Sequence, residues 1–253
     1  MARISSARHS CASTRASSLT LTGIPQRGAR HNARTGRIVN LTLTLVALMA
    51  AGSAVSTTRG QTIYYTDSAG LHEGVHRVLV SGKNIQNLHD TLGASGIALD
   101  ADAGKMYWTK ASGNNDRIQR ANLDGSAVED LVTTGLFVPV GIAVDPTGGK
   151  VYWTDPNPAA FWIRRASLDG SSVEPLITLP DGPHGIDLDT AAGKMYWTTA
   201  GGRIQRANLD GSLVQNVLTS LGSGVDIPWG IALDVAGGKI YWTQRGFTVA
   251  GQI

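Results

Sequence analysis

The sequence predicts an all-β protein, a β-propeller of four-stranded blades, and three observations carry that reading. Gly-Ile recurs at Gly96, Gly141, Gly185 and Gly230, in steps of 45, 44 and 45 residues. Tyr-Trp-Thr recurs at Tyr107, Tyr152, Tyr196 and Tyr241 in the same steps, and Leu-Asp-Gly at Leu123, Leu168 and Leu209. No segment holds an apolar period of about 3.6 residues over a useful length, so helices are nearly absent. A fixed period of about 44 residues with four strand signals is one propeller blade. A β-sandwich does not require such a period.

The unit reads strand by strand. Gly141–Asp145 is a short first strand, followed by a tight turn from Pro146 to Lys150. Val151-Tyr152-Trp153-Thr154 is a second strand, rich in aromatic and β-branched residues. Ile163–Leu168 alternates and forms a third, and Asp169-Gly170 is a hairpin turn, because such a pair accepts positive φ. Val173–Leu179 supplies the fourth. The Thr-rich and Arg-Ala stretches of these strands read as solvated faces. The Tyr-Trp pairs read as packing between blades.

Tyr-Trp-Thr after Gly-Ile-Ala-x-Asp and before Ile-x-Arg-Ala-x-Leu-Asp-Gly resembles the YWTD repeat, the low-density-lipoprotein-receptor class B repeat. The resemblance covers residues 62–253 and implies a propeller of six blades. The closing Asp of the motif is present at Asp67 and Asp155, whereas Lys110, Thr199 and Gln244 replace it elsewhere. The Asp is therefore dispensable, or its hydrogen bond is supplied by another group. On the family's blade count the array is incomplete, about four and a half of six blades. Residues 63–91 give strands two to four of the first blade. The last blade has two strands, and Gln252-Ile253 match Arg203-Ile204, the start of a third. Unpaired sheet edges invite association. The chain is then part of a longer product, or a partner chain closes the ring.

Residues 1–60 read as a basic leader and residues 61–253 as the partial propeller. The leader holds eight arginines and no acid, then an apolar run from Leu41 to Ala51 and the small residues Gly52-Ser53-Ala54. That order is a secretory signal. The run is shorter than the roughly 20 apolar residues a spanning helix needs. Membrane attachment would require an uncleaved leader. The expected location is extracytoplasmic, either periplasmic or extracellular. Outside the leader, 14 Lys and Arg face 19 Asp and Glu, which argues against a nucleic-acid surface. Cys11 is the one cysteine of the chain, so the propeller has no disulfide, thiolate metal site or cysteine nucleophile.

In a propeller, the blade-to-blade connections and the loops between second and third strands share one face. Here those loops vary between copies, and the opposite turns do not. Variation on a fixed scaffold is where a site is built. Val140, His184 and Trp229 precede the Gly-Ile pairs and should ring the mouth of the channel, with Phe137, Phe161 and Trp162 beside them. Asp187 stands where other units have Ala98, Ala143 and Ala232, so the scaffold does not demand it. These seven residues are the candidate ligand-binding rim. The repeated aspartates Asp100, Asp145, Asp189 and Asp234 read as strand-end acceptors. His72 and His76 do not share a helical face, and no metal, cofactor or catalytic residue is assigned. The expected function is a secreted binding or scaffold protein recognising a protein or glycan ligand on the variable face. The alternative is a lactonase- or lyase-type enzyme with its site at the channel mouth.

Overall fold

The computed structural model describes residues 3–8, 13–14, 55–57, 62–68, 73–79, 82, 84–157, 159–219 and 226–246. Most of the leader, His72 and the match at Gln252-Ile253 lie outside the described residues. The described chain forms five antiparallel sheets of four strands each. Two strands come first in sequence, β1 (Arg3–Arg8) and β2 (Ser13–Thr14). The first blade is β3 (Val55–Thr57), β4 (Thr62–Asp67), β5 (Gly74–Leu79) and β6 (Gln86–Asp90). The second is β7 (Ala94–Asp100), β8 (Lys105–Lys110), β9 (Arg117–Asn122) and β10 (Glu129–Val132). The third is β11 (Ile142–Asp145), β12 (Lys150–Asn157), β13 (Ala160–Ser167) and β14 (Glu174–Leu179). The fourth is β15 (Pro183–Asp189), β16 (Lys194–Thr199), β17 (Arg203–Asn208) and β18 (Gln215–Thr219). The fifth joins β19 (Asp226–Asp234) and β20 (Lys239–Gly246) to β1 and β2.

The first and last sheets are fuller than the sequence reading expected. Val55–Thr57 pairs with Ile63–Tyr65 and supplies an inner strand upstream of residue 61. Arg3–Arg8 lies antiparallel to β20, with Arg3 opposite Gln244 and Arg8 opposite Lys239. In the second blade Arg117 faces Lys110 and Asn122 faces Lys105, so β1 takes the register of a third strand. The inner strands β3, β7, β11, β15 and β19 neighbour one another in turn.

Two devices join the blades, and both occupy the repeated residues. The first is the threonine of Tyr-Trp-Thr. Thr154 Oγ1 accepts the Gly141 amide at 2.8 Å and donates to the His184 carbonyl of the next blade at 2.5 Å. Thr109 does the same with Gly96 and Val140, and Thr198 with Gly185 and Trp229. Each of these threonines is fully buried. The glycine must be a glycine, because a Cβ on Gly141 would lie 2.4 Å from the His184 oxygen. The second device is the arginine of the third strand. Arg120 and Arg165 donate to the carbonyls of Leu168 and Leu209 in the next blade's Leu-Asp-Gly turn, at 2.7 and 3.0 Å. The expectation that Thr-rich and Arg-Ala stretches are solvated faces is corrected here: they stitch the ring.

The core lies between blades. Trp108, Trp153 and Trp197 are wholly buried, and Tyr152 packs with Met195, Ala207 and Leu209 across one interface. Burying such rings dominates the stability of the fold. The strand-end aspartates behave as read from sequence. Asp145 Oδ1 accepts the Gly148 amide at 2.8 Å, and Asp100, Asp189 and Asp234 accept the matching amides of Ala103, Ala192 and Gly237.

Candidate functional site on the variable face

Antiparallel order puts the starts of the first and third strands, and the ends of the second and fourth, on one face. Val140, His184 and Trp229 stand there, each with its carbonyl held by a threonine of the preceding blade. Their backbone is therefore fixed by the scaffold, and their side chains are free to differ. Val140 is buried. His184, also buried, stacks on the part-exposed Trp229, with ring centroids 3.9 Å apart and planes 23° apart. Its Nδ1 lies 3.2 Å from the Pro228 carbonyl. Two rim residues from adjacent blades thus form one aromatic unit.

The third blade gathers a second cluster. Its Asp155, the closing Asp of the motif, is fully buried and accepts the amides of Phe137 and Val138 at 3.3 and 3.2 Å. That fixes the loop entering the blade and leaves Phe137 44% exposed. Arg164 Nε lies 3.4 Å from Asp155 Oδ2, and its guanidinium sits 4.3 Å from the Trp162 ring. Burial pushes the Asp155 carboxyl above its usual range, against the opposing pull of the Val138 amide and Arg164. Phe161 sits beside this cluster but turns partly into the core.

The second and fourth blades show why this cluster is particular. There Trp108 and Trp197 donate to Gln119 and Gln205 at 3.0 and 3.2 Å, and these in turn donate to Asp130 and Asn216. In the third blade Arg164 faces Trp153 and Pro175 faces Arg164. The network is lost. Trp153 Nε1 is buried without a hydrogen-bond partner, and Arg164 Nε and Asp155 Oδ2 meet only in their 3.4 Å ion pair, with no hydrogen bond to either atom. A buried indole N–H without a partner costs stability. Sequence reading passed over Arg164; its available sign was that Arg164 stands where the third strands of the second and fourth blades have Gln119 and Gln205.

Where the motif's Asp is replaced, different carboxylates hold the loop that follows the second strand. Asp181 accepts Thr199 Oγ1 at 2.9 Å and the Gly201 amide at 2.8 Å, and Asp116 accepts the Ser112 amide at 2.8 Å. Asp187 is placed away from the aromatic rim. Its oxygens accept the Leu188 amide at 2.8 Å and the Leu233 amide of the next blade at 2.7 Å. Burial raises its pKa to about 6. His76 stacks on Tyr65 inside the first blade, with centroids 5.1 Å apart.

This is the geometry of a repeat β-propeller, and the comparisons agree on the fold. No family model matches the chain. Low-density lipoprotein receptor-related protein 5 of Mus musculus is 38% identical over 80 residues, 32% of this chain and 5% of that protein. Low-density lipoprotein receptor-related protein 4 of Homo sapiens is 52% identical over 40 residues, 16% of this chain and 2% of that protein. The chain thus spans a small part of the curated relatives it matches. The crystal structure of a nidogen/laminin complex contains a chain with TM-score 0.64 and 27% identity, covering 72% of this chain and 67% of that one. XC5397 of Xanthomonas campestris, described as a gluconolactonase, has TM-score 0.59 at 16% identity, over 76% of this chain and 71% of its own. That likeness shows the fold alone. Over the matched parts the repeats of the chain are similar to those of YWTD-type β-propellers.

Proposed function

We propose that this chain is an extracytoplasmic binding protein that recognises a protein or glycan ligand on its variable face. The observation that carries the reading is the third-blade cluster of Phe137, Asp155, Trp162 and Arg164. There the blade gives up its internal Trp–Gln network, and the loop is held with Phe137 outward. An exposed aromatic beside a partly buried arginine is the composition of a recognition surface. The stacked His184 and Trp229 extend that surface across the next blade boundary. The similarity to a chain of a nidogen/laminin complex supports a protein ligand over a glycan. The leader supports export.

The test is an array of secreted proteins and glycans probed with the full chain and with Phe137→Ala. The reading expects a hit that Phe137→Ala weakens at least about tenfold, as removing a recognition anchor does. Hits that are all indifferent to Phe137→Ala and to Trp162→Ala would refute it.

A further inference from the structure

We infer that the variable face takes an acidic peptide segment, whose carboxylates seat on three loosely paired arginines and one unpaired lysine of the second, third and fourth blades. The inference rests on the reading of that face as a recognition surface, and names the chemistry of its partner.

The arginine–carboxylate pairs among the described residues fall into two groups. Arg120 and Arg165 hold Glu129 and Glu174 at 2.8 and 2.6 Å, and each also donates to a carbonyl of the next blade. These two are spent on the ring. Arg117 and Arg203 open the third strands β9 and β17 at the variable-face end, and Arg164 reaches that end through Asp155. The pairs of Arg117, Arg164 and Arg203 with Asp130, Asp155 and Asp181 are longer, at 3.4, 3.4 and 3.5 Å, and none includes a hydrogen bond.

The physical reason is that each of these carboxylates is already taken. Asp130 accepts Gln119 Nε2 at 2.7 Å, and Asp155 accepts the amides of Phe137 and Val138. Asp181 accepts Thr199 Oγ1 and the Gly201 amide. Neutral donors of the scaffold hold the acids, and the guanidinium groups keep their N–H donors. Of the Arg164 nitrogens, only Nε is both buried and without a hydrogen bond, so the terminal two open to the surface. A guanidinium matches a carboxylate with two parallel hydrogen bonds, each about twice as strong as a neutral one. A ligand carboxylate therefore exchanges a loose pair for a bidentate one.

Lys110 is the fourth station. It stands where Asp155 closes the motif in the third blade, and it lies directly opposite Arg117 in the strand register. Like charges so placed destabilise a strand pair. The Lys110 ammonium has neither a hydrogen bond nor an ion pair among the described residues. A carboxylate between Lys110 and Arg117 relieves that repulsion.

Two observations favour a peptide over a sulfated glycan. Phe137 and Val138 are 44% and 37% exposed, are joined to the Arg164 station through Asp155, and suit apolar side chains. Residues 61–253 carry 19 Asp and Glu against 14 Lys and Arg. A dense polyanion thus meets a body of its own sign, whereas a short segment with a few carboxylates meets only the local cations.

The probe is a fluorescent peptide of repeated Glu-Leu-Gly, titrated with the full chain and read by anisotropy. Its controls are the Gln-Leu-Gly counterpart and a sulfated oligosaccharide. Two variants write the repeat's own residues back and so respect the blade: Arg164→Gln, matching Gln119 and Gln205, and Lys110→Asp, matching Asp155. The Glu peptide should bind saturably, and the Gln peptide at least about tenfold more weakly. Each variant should weaken the Glu peptide at least about tenfold, and added salt should weaken it too. No saturable binding, equal binding of the two peptides, or an affinity unchanged by either variant overturns the inference. So does binding of the oligosaccharide alone. Array ligands that need Phe137 but are indifferent to Arg164→Gln and Lys110→Asp also overturn it, and leave the face a recognition surface. Failure of that reading shows differently, as indifference to Phe137→Ala and Trp162→Ala.

Discussion

Thr154 Oγ1 donates to the carbonyl of His184 at 2.5 Å, across the boundary between the third and fourth blades. One hydroxyl thereby fixes the backbone of a rim residue while leaving its imidazole to face Trp229. The scaffold and the candidate recognition surface meet in this residue: the main chain belongs to the ring, the side chain to the face. The same division holds at Val140 and Trp229.

Thr154→Val keeps the shape of the side chain and removes both bonds. The Gly141 amide and the His184 carbonyl are then buried without partners. The expected cost is about 2–4 kcal/mol, from two orphaned groups. Urea unfolding measures it. Thr154→Ser, which keeps the hydroxyl, should recover most of the loss; equal destabilisation by both would deny the hydroxyl its role.

Asp187 gives a signed dependence on pH. Burial raises its folded pKa to about 6, above the unfolded value of 3.8. The protonated acid is therefore favoured by folding. Its contribution is complete below about pH 3.8 and is lost as pH rises through about 6, by up to about 3 kcal/mol. Asp187→Ala, the residue of the other blades, should lack this loss. Melting of the two proteins at pH 4.5 and 7.5 should show the wild type falling relative to the variant. A difference that does not change with pH would contradict the assignment.

Leu213 has φ of 56° and is 66% exposed. Its counterparts Ala127 and Ser172 share the conformation. A leucine there bears the left-handed penalty, about 1–2 kcal/mol, and stays mostly exposed. Leu213→Gly should raise stability by about 0.5–1 kcal/mol after the glycine's own entropy is counted. A higher Tm at unchanged cooperativity is the expected result, and a lower one would contradict it.

Much of this fold was legible because its strongest requirements are local. Tyr-Trp-Thr and Gly-Ile recur in the same steps, with Leu-Asp-Gly once in each of three units, and the pairing of β11 with β12 and of β12 with β13 follows from them. What stayed hidden depends on partners one blade away. Thr154 meets a carbonyl 30 residues on, and Arg165 one 44 residues on. Nothing near either residue marks it as buried or bonded, so alternation alone made them solvated. The first-blade strand Val55–Thr57 lies among small residues that also suit a cleavage zone. Arg3–Arg8 carried a readable sign, the Arg-Ile-x-x-Ala shared with Arg117–Ala121, but its composition matched a basic leader. At the candidate site, His184 and Trp229 could be placed on one rim from sequence; their stacking, and the Asp155–Arg164 pair, required side-chain geometry.

The most direct test of the central division between ring and face compares two tryptophans. Trp229 is part-exposed on the rim, whereas Trp197 is wholly buried with its indole N–H bonded to Gln205. Tm and retention of the array ligand are measured for Trp229→Ala and Trp197→Ala. Trp197→Ala should lose about 3–5 kcal/mol of stability. Trp229→Ala should lose no more than about 1.5 kcal/mol, the worth of its stacking, while binding falls at least about tenfold. If Trp229→Ala instead melts as low as Trp197→Ala, Trp229 is a plug of the channel and the rim is not a recognition surface.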